Sequence, residues 1–197
     1  MSDVIEIDLR GKIKLCVDFT FFAAIALFFY LDKSGAGFMS VGACAIHEAG
    51  HILALVHEKK RLERLTFYGG GIKIKYETNL DASFLLITAG SLINIAAFVV
   101  FYFMFPQRLE LKLFAVINLI IGVFNLLPLS FFDGGRLLEK ILIKLLPAEK
   151  ALSIARKTER ITAGLAFILP VLLFAVGKIN PTVVIALVYV IIADILR

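Results

Sequence analysis

Long apolar runs dominate the chain, and short charged stretches separate them. A helix that crosses a bilayer needs about 20 mostly apolar residues. Six stretches fit, at roughly 15–31, 38–56, 83–105, 111–131, 161–177 and 181–196, the last two short but nearly free of charge. Between the fourth and fifth, RLLEKILIKLLPAEKALSIARKTER repeats apolar residues at helical spacing among frequent Lys and Arg. That pattern predicts an amphipathic interfacial helix followed by a polar connector. After the second stretch the period changes. RLTFYGGGIKIKYE sets three glycines, among them Gly70 and Gly71, between two segments, and Ile72 to Tyr76 alternates with period two. This is a hairpin signal. It reads either as an ordinary cytoplasmic turn or as a strand whose free edge pairs with an extended substrate. The pattern thus predicts an all-α polytopic membrane protein of about six transmembrane helices, with a small membrane-associated β-hairpin after the second. The expected organisation is one domain over 1–197, with its core at about 15–150 and C-terminal helices at 161–196.

Composition strengthens the membrane reading. Of the 197 residues, 60% are hydrophobic and only 19% charged, with a mean hydropathy of +0.91. Soluble domains run nearer 45–50% apolar and about 25% charged. The formal charge of +5 does not point to nucleic acid, because the Lys and Arg are unevenly placed along the flanks of the apolar runs. Arg10, Lys12 and Lys14, the loop from Lys59 to Lys75, the stretch from Arg136 to Arg160, and Arg197 fall on one side. Only Lys33, Arg108, Lys112 and Lys178 fall on the other. The positive-inside rule then puts both termini in the cytoplasm of a multi-pass cell-membrane protein. The first fifteen residues, MSDVIEIDLRGKIKL, alternate charged and apolar side chains without a small-residue cleavage site, unlike a secretory signal peptide. Cys16 and Cys44 lie in or beside apolar runs and read as small buried hydrophobes.

One apolar run carries chemistry. HEAGH at 47–51 places His47 and His51 four residues apart, on one face of a helix, where both reach a single ion. Glu48 lies beside them as a general base. Ionisable residues inside a span are costly and mark function by default. A catalytic zinc needs a third protein ligand and an open position. His57 is ten residues after His47, the spacing of a zinc-protease pattern that breaks its helix at a glycine. Here Ala54 stands there, a strong helix former. On an unbroken helix His57 lies about 80° from His47, on the side away from His51, and about 15 Å along the axis. On this reading it marks the cytoplasmic end of the span. The other candidate is Asp133 in NLLPLSFFDGGR, where Pro128 breaks the preceding helix and Gly134 and Gly135 allow a bend back toward a metal.

Together, HEAGH and NLLPLSFFDGG resemble the site-2 protease family of intramembrane zinc metalloproteases, peptidase family M50. The match falls on His47, Glu48, His51, Asn125, Pro128, Asp133 and Gly134, and on Gly90 and Asn94 in TAGSLINIA. The glycine-bearing FYGGGIKI also fits, so the resemblance covers roughly 15–150. The plan is most similar to the compact bacterial stage IV sporulation FB type, without its CBS domain. What the resemblance implies is a zinc endopeptidase that cuts in or near a transmembrane segment of a membrane-embedded or membrane-tethered protein, in regulated intramembrane proteolysis. One Zn2+ per chain would be held by His47, His51 and Asp133, with Glu48 activating its water. Asn125 and Pro128 would support the site, Asn125 orienting substrate backbone or an oxyanion. Asn94 would bond between helices, and Gly70 and Gly71 would shape the substrate strand. The active site would lie in the membrane toward the cytoplasmic side, His47 being about 14 Å from the end of its span. Partners would be the substrate, the lipid bilayer and a regulatory membrane protein. The competing reading is a membrane metal-binding or transport protein that uses the same ligands without hydrolysis.

Overall fold

The computed structural model describes residues 4–9, 13–32, 35–60, 62–68, 71–76 and 82–175. The chain divides into two compact units, Met1–Phe124 and Asn125–Arg197. In the first, strands β1 (Val4–Leu9) and β2 (Ile13–Asp18) precede helices α1 (Phe19–Leu31) and α2 (Ala36–His57). Strands β3 (Leu62–Tyr68) and β4 (Gly71–Tyr76), then helices α3 (Phe84–Met104) and α4 (Leu109–Asn125), follow. Asn125, the last residue of α4, opens the second unit, which holds α5 (Asp133–Leu145) and α6 (Ala148–Ala175).

Among the described residues the sheet has four strands, in the order β1-β2-β3-β4, where the sequence reading expected two. β1 pairs antiparallel with β2, β2 runs parallel to β3, and β3 pairs antiparallel with β4. The alternation in VIEIDL and IKLCVD that argued against a signal peptide is the period of these added strands. It also shortens the first expected span. Residues 15–18 belong to β2, and the helix begins only at Phe19, leaving α1 with 13 residues. Asp18 fixes that boundary by accepting from the Thr20 N–H at 2.8 Å and the Thr20 hydroxyl at 2.7 Å. These bonds hold its carboxyl below the usual carboxylate range.

Among the described residues, α2 and α3 are long and apolar enough to cross a membrane. The start of α2 is closed by Asp32, whose carboxylate accepts from the Gly37 N–H. Its end carries a reverse-turn cap. Lys59 takes the left-handed conformation at φ 54°, Lys60 N–H donates to Leu55 O and Lys59 N–H to Val56 O. This is the six-to-one and five-to-two bond pair that usually ends on glycine. Ser83 caps α3 by accepting from Leu86 N–H, and its hydroxyl donates to Glu58. Below that junction Leu55, Ala54, Leu86 and Ala89 form a buried cluster between α2 and α3, with Leu62 and Ala82 packed on it.

The fourth and fifth expected spans also shift. α4 ends at Asn125, short of 131, because Pro128 lacks the N–H that another helical turn would need. In the second unit, the stretch expected as a polar connector is helical. α6 runs 28 residues, from Ala148 to Ala175, and carries on into the expected fifth span. Pro147 separates it from α5, the amphipathic helix. The expected span at 181–196 lies outside the described residues.

Candidate metal centre

His47 and His51 sit one turn apart on α2, His47 buried and His51 half-buried. Each imidazole is held by its Nδ1. His51 Nδ1 lies 2.8 Å from the Leu86 carbonyl oxygen and His47 Nδ1 lies 2.9 Å from Asn94 Oδ1. A carbonyl oxygen only accepts, so His51 carries its proton on Nδ1. The Asn94 amide is oriented by its other end, where Nδ2 donates to Ala43 O at 3.0 Å and to Asn118 Oδ1 at 2.8 Å. Its oxygen therefore faces His47, which also carries the proton on Nδ1. A neutral imidazole anchored in this way keeps a lone pair on Nε2, and the two Nε2 atoms lie 3.2 Å apart. Two lone pairs that close repel each other, and a cation bound to both relieves the repulsion. This is the neutral, outward-anchored imidazole pair that a metal takes as ligands.

Gly90 makes room for it. A Cβ at that position would lie 2.6 Å from His47 Nε2 and closer still to His51 Nε2. Any side chain there would fill the space beside the two nitrogens. Leu86, Gly90 and Asn94 recur every fourth residue on α3, so one helix face supplies the carbonyl, the gap and the amide. Glu48 follows His47 on α2 and is half-buried.

α2 does not break at Ala54, which is buried within an unbroken helix. His57 closes that helix and is exposed. In the second unit, Asp133 is buried in the first turn of α5, where a carboxylate suits the positive end of the helix dipole. The chain reaches it through a tight return after Asn125. Leu129 N–H donates to Leu127 O, Phe132 N–H donates to Leu129 O, and Ser130 N–H donates to Glu159 Oε1 on α6. Gly134 packs against the Leu126 carbonyl and Gly135 against that of Leu129, so closely that a Cβ on either would collide. Pro128 is half-buried within this return. Gly71 opens β4 opposite Tyr68, and Gly70 lies outside the described residues.

The structure thus brings His47, His51, Gly90 and Asn94 together in the first unit, and places Asn125, Pro128 and Asp133 along one segment of the second. Two participants escaped the sequence reading. Asn118 lay inside an apolar run, where a lone amide is itself a signal. The Leu86 carbonyl is backbone and has no signature in sequence.

A model of Peptidase family M50 matches residues 108–173, from the start of α4 into α6. The fold is that of a site-2 protease: the structure of the site-2 protease from Methanocaldococcus jannaschii superposes with a TM-score of 0.65 at 23% identity, over 97% of this chain and 93% of that one. By sequence, the chain is 34% identical over 121 residues to stage IV sporulation protein FB of Bacillus subtilis (strain 168). That match spans 57% of this chain and 42% of the Bacillus protein. All three comparisons agree with the resemblance to the M50 site-2 proteases.

Proposed function

We propose that the chain is an intramembrane zinc metalloendopeptidase, hydrolysing a peptide bond in or near a transmembrane segment of a membrane-bound protein. The observation that carries this reading is the imidazole pair on α2, each Nδ1 anchored to oxygen and both Nε2 converging. His47, His51 and Asp133 would hold one zinc. Two imidazoles and a carboxylate form a donor group able to hold a metal ion, and catalytic zinc uses such sets with a position left for substrate. When bound, the zinc supplies the Lewis acidity that makes water easier to deprotonate near neutral pH. Glu48 takes the proton from the attacking water and returns it to the leaving amine. Asn125 presents its amide to the substrate backbone or to the developing oxyanion. Pro128 ends α4 so that the chain can turn to Asp133. β4 is an edge of the sheet, and past Gly70 and Gly71 its outer side offers backbone bonds to an extended substrate.

The setting supports a substrate in the bilayer. α2 and α3 turn Phe38, Leu53, Val56, Leu92, Val99 and Phe103 outward, a coat suited to lipid. The proposed topology is multi-pass with both termini cytoplasmic and the site open to the cytoplasmic side. A regulatory membrane protein would act on the same domain. Among the described residues there is no second His, Cys, Asp or Glu group able to hold a metal, so a path for metal transport gains no support. The test is metal content in purified protein. Asp133→Ala should lose most of its zinc while His57→Ala keeps it, and the reverse ranking would return the third ligand to His57.

A further inference from the structure

We infer that Asn118 is a positioning residue for the metal centre, fixing the orientation and tautomer of His47 through Asn94. Its consequence for zinc rests on the reading proposed above; its geometry does not. An asparagine amide is nearly symmetric in shape, and a half-turn exchanges its oxygen and NH2. If Asn94 turned over, its NH2 would meet His47 Nδ1 and hold a lone pair there. The imidazole proton would then move to Nε2, the nitrogen that faces His51 and would ligate the metal.

Two acceptors prevent this turn, Ala43 O and Asn118 Oδ1, and together they occupy both hydrogens of Asn94 Nδ2. Asn118 could turn over in the same way, so it too needs an anchor. It has one in Phe114 O, a carbonyl one turn back on α4 that accepts from Asn118 Nδ2 at 2.9 Å. The direction of the whole relay is therefore set by backbone carbonyls, which cannot donate. It runs from Phe114 O through Asn118 and Asn94 to His47 Nδ1.

Burial keeps the relay intact, since Asn94 and Asn118 are both 0% exposed and water cannot replace a missing partner. α4 must also lie close to α3 for the amides to meet. Gly122, one turn beyond Asn118, allows that approach: a Cβ there would lie 3.1 Å from Asn94 Cβ and from Ser91 O. The hydrogen bonds of the Asn118 amide go to Asn94 and to Phe114 O, so its effect on the site passes through Asn94.

The test compares Asn118→Leu with Asn118→Asp by zinc titration against a competing chelator. Leucine keeps the branch of asparagine at Cγ but cannot accept from Asn94. The aspartic acid, kept neutral by burial, can still accept from Asn94 and donate to Phe114 O. The leucine variant should bind zinc about tenfold more weakly, while the aspartic acid variant stays within about threefold of wild type. Gly122→Ala, which pushes α4 outward, should weaken zinc in the same direction if the leucine variant does not fold. Wild-type affinity in Asn118→Leu, or equal losses in both Asn118 variants, would overturn the inference.

A metal-free readout separates this inference from the zinc reading. In 15N-histidine-labelled apoprotein, His47 should be protonated at Nδ1 in the wild type and in Asn118→Asp, and should lose that preference in Asn118→Leu. An unchanged His47 tautomer in Asn118→Leu would refute the relay, whether or not the wild type takes up zinc.

Discussion

Replacing Gly90 by alanine isolates the space between the imidazoles from the stability of the helix that borders it. The added Cβ would lie 2.6 Å from His47 Nε2. Ordinary contact between such atoms begins near 3.4 Å, so the ring must retreat by about 0.8 Å, and metal distances tolerate only about 0.2 Å. Neither ring can swing aside cheaply, because each is tethered by Nδ1 to Asn94 or to Leu86 O. The expected loss in zinc affinity is about 100-fold, or about 2.7 kcal/mol, the upper end of what disturbed ligand support costs. Helix propensity pulls the other way. In the middle of α3, alanine is favoured over glycine by about 1 kcal/mol, which offsets part of the roughly 1–3 kcal/mol that displacing the rings costs, so apoprotein stability should fall less than metal binding does. Competitive zinc titration and denaturation of the apoprotein in detergent measure the two separately. Zinc affinity within about threefold of wild type would refute the claim that the metal occupies this gap.

Two further outcomes follow from the α2–α3 junction. Lys59 holds a left-handed conformation that costs a side-chain-bearing residue about 1 kcal/mol. Lys59→Gly should therefore stabilise the protein by up to that amount in a denaturant titration, and a destabilisation would contradict the cap geometry. Glu58 accepts from Lys60 and from Ser83, which hold its carboxyl below its ordinary value of 4.5. Its contribution to stability is present above that value and lost as pH falls through the lowered one. Glu58→Gln should be less stable than wild type at neutral pH and converge with it in acid, as followed by denaturation across pH. A constant difference would dismiss the charge as the cause.

The elements that sequence made legible share a strong local signature. The four-residue spacing of His47 and His51 specifies one helix face whatever the surroundings, and Ala54 is enough to keep that helix running to His57. The failures have physical causes of their own. Leu15, Cys16 and Val17 continue directly into the apolar residues of α1, so hydropathy alone could not see the strand end at Asp18. The charged residues of 148–160 lie on a helix that continues into an apolar one, and charge density was read as a break in structure. Asn118 stands among apolar residues in the stretch 111–131, and its role depends on Asn94 from another helix. The bond from His51 to Leu86 O could not be read from side chains at all. Composition and local spacing fixed the imidazole pair; what orients it is tertiary.

The most direct test of the protease reading is quantitative membrane proteomics of cells expressing the wild type or Glu48→Gln at equal levels. Glu48→Gln removes the proposed proton acceptor but none of the proposed ligands, so the variant should keep its zinc. A single-pass or tail-anchored membrane protein should accumulate uncut in those cells and appear as a shortened fragment with the wild type. Identical membrane proteomes, with zinc bound in both proteins, would contradict the assignment of hydrolysis to this site.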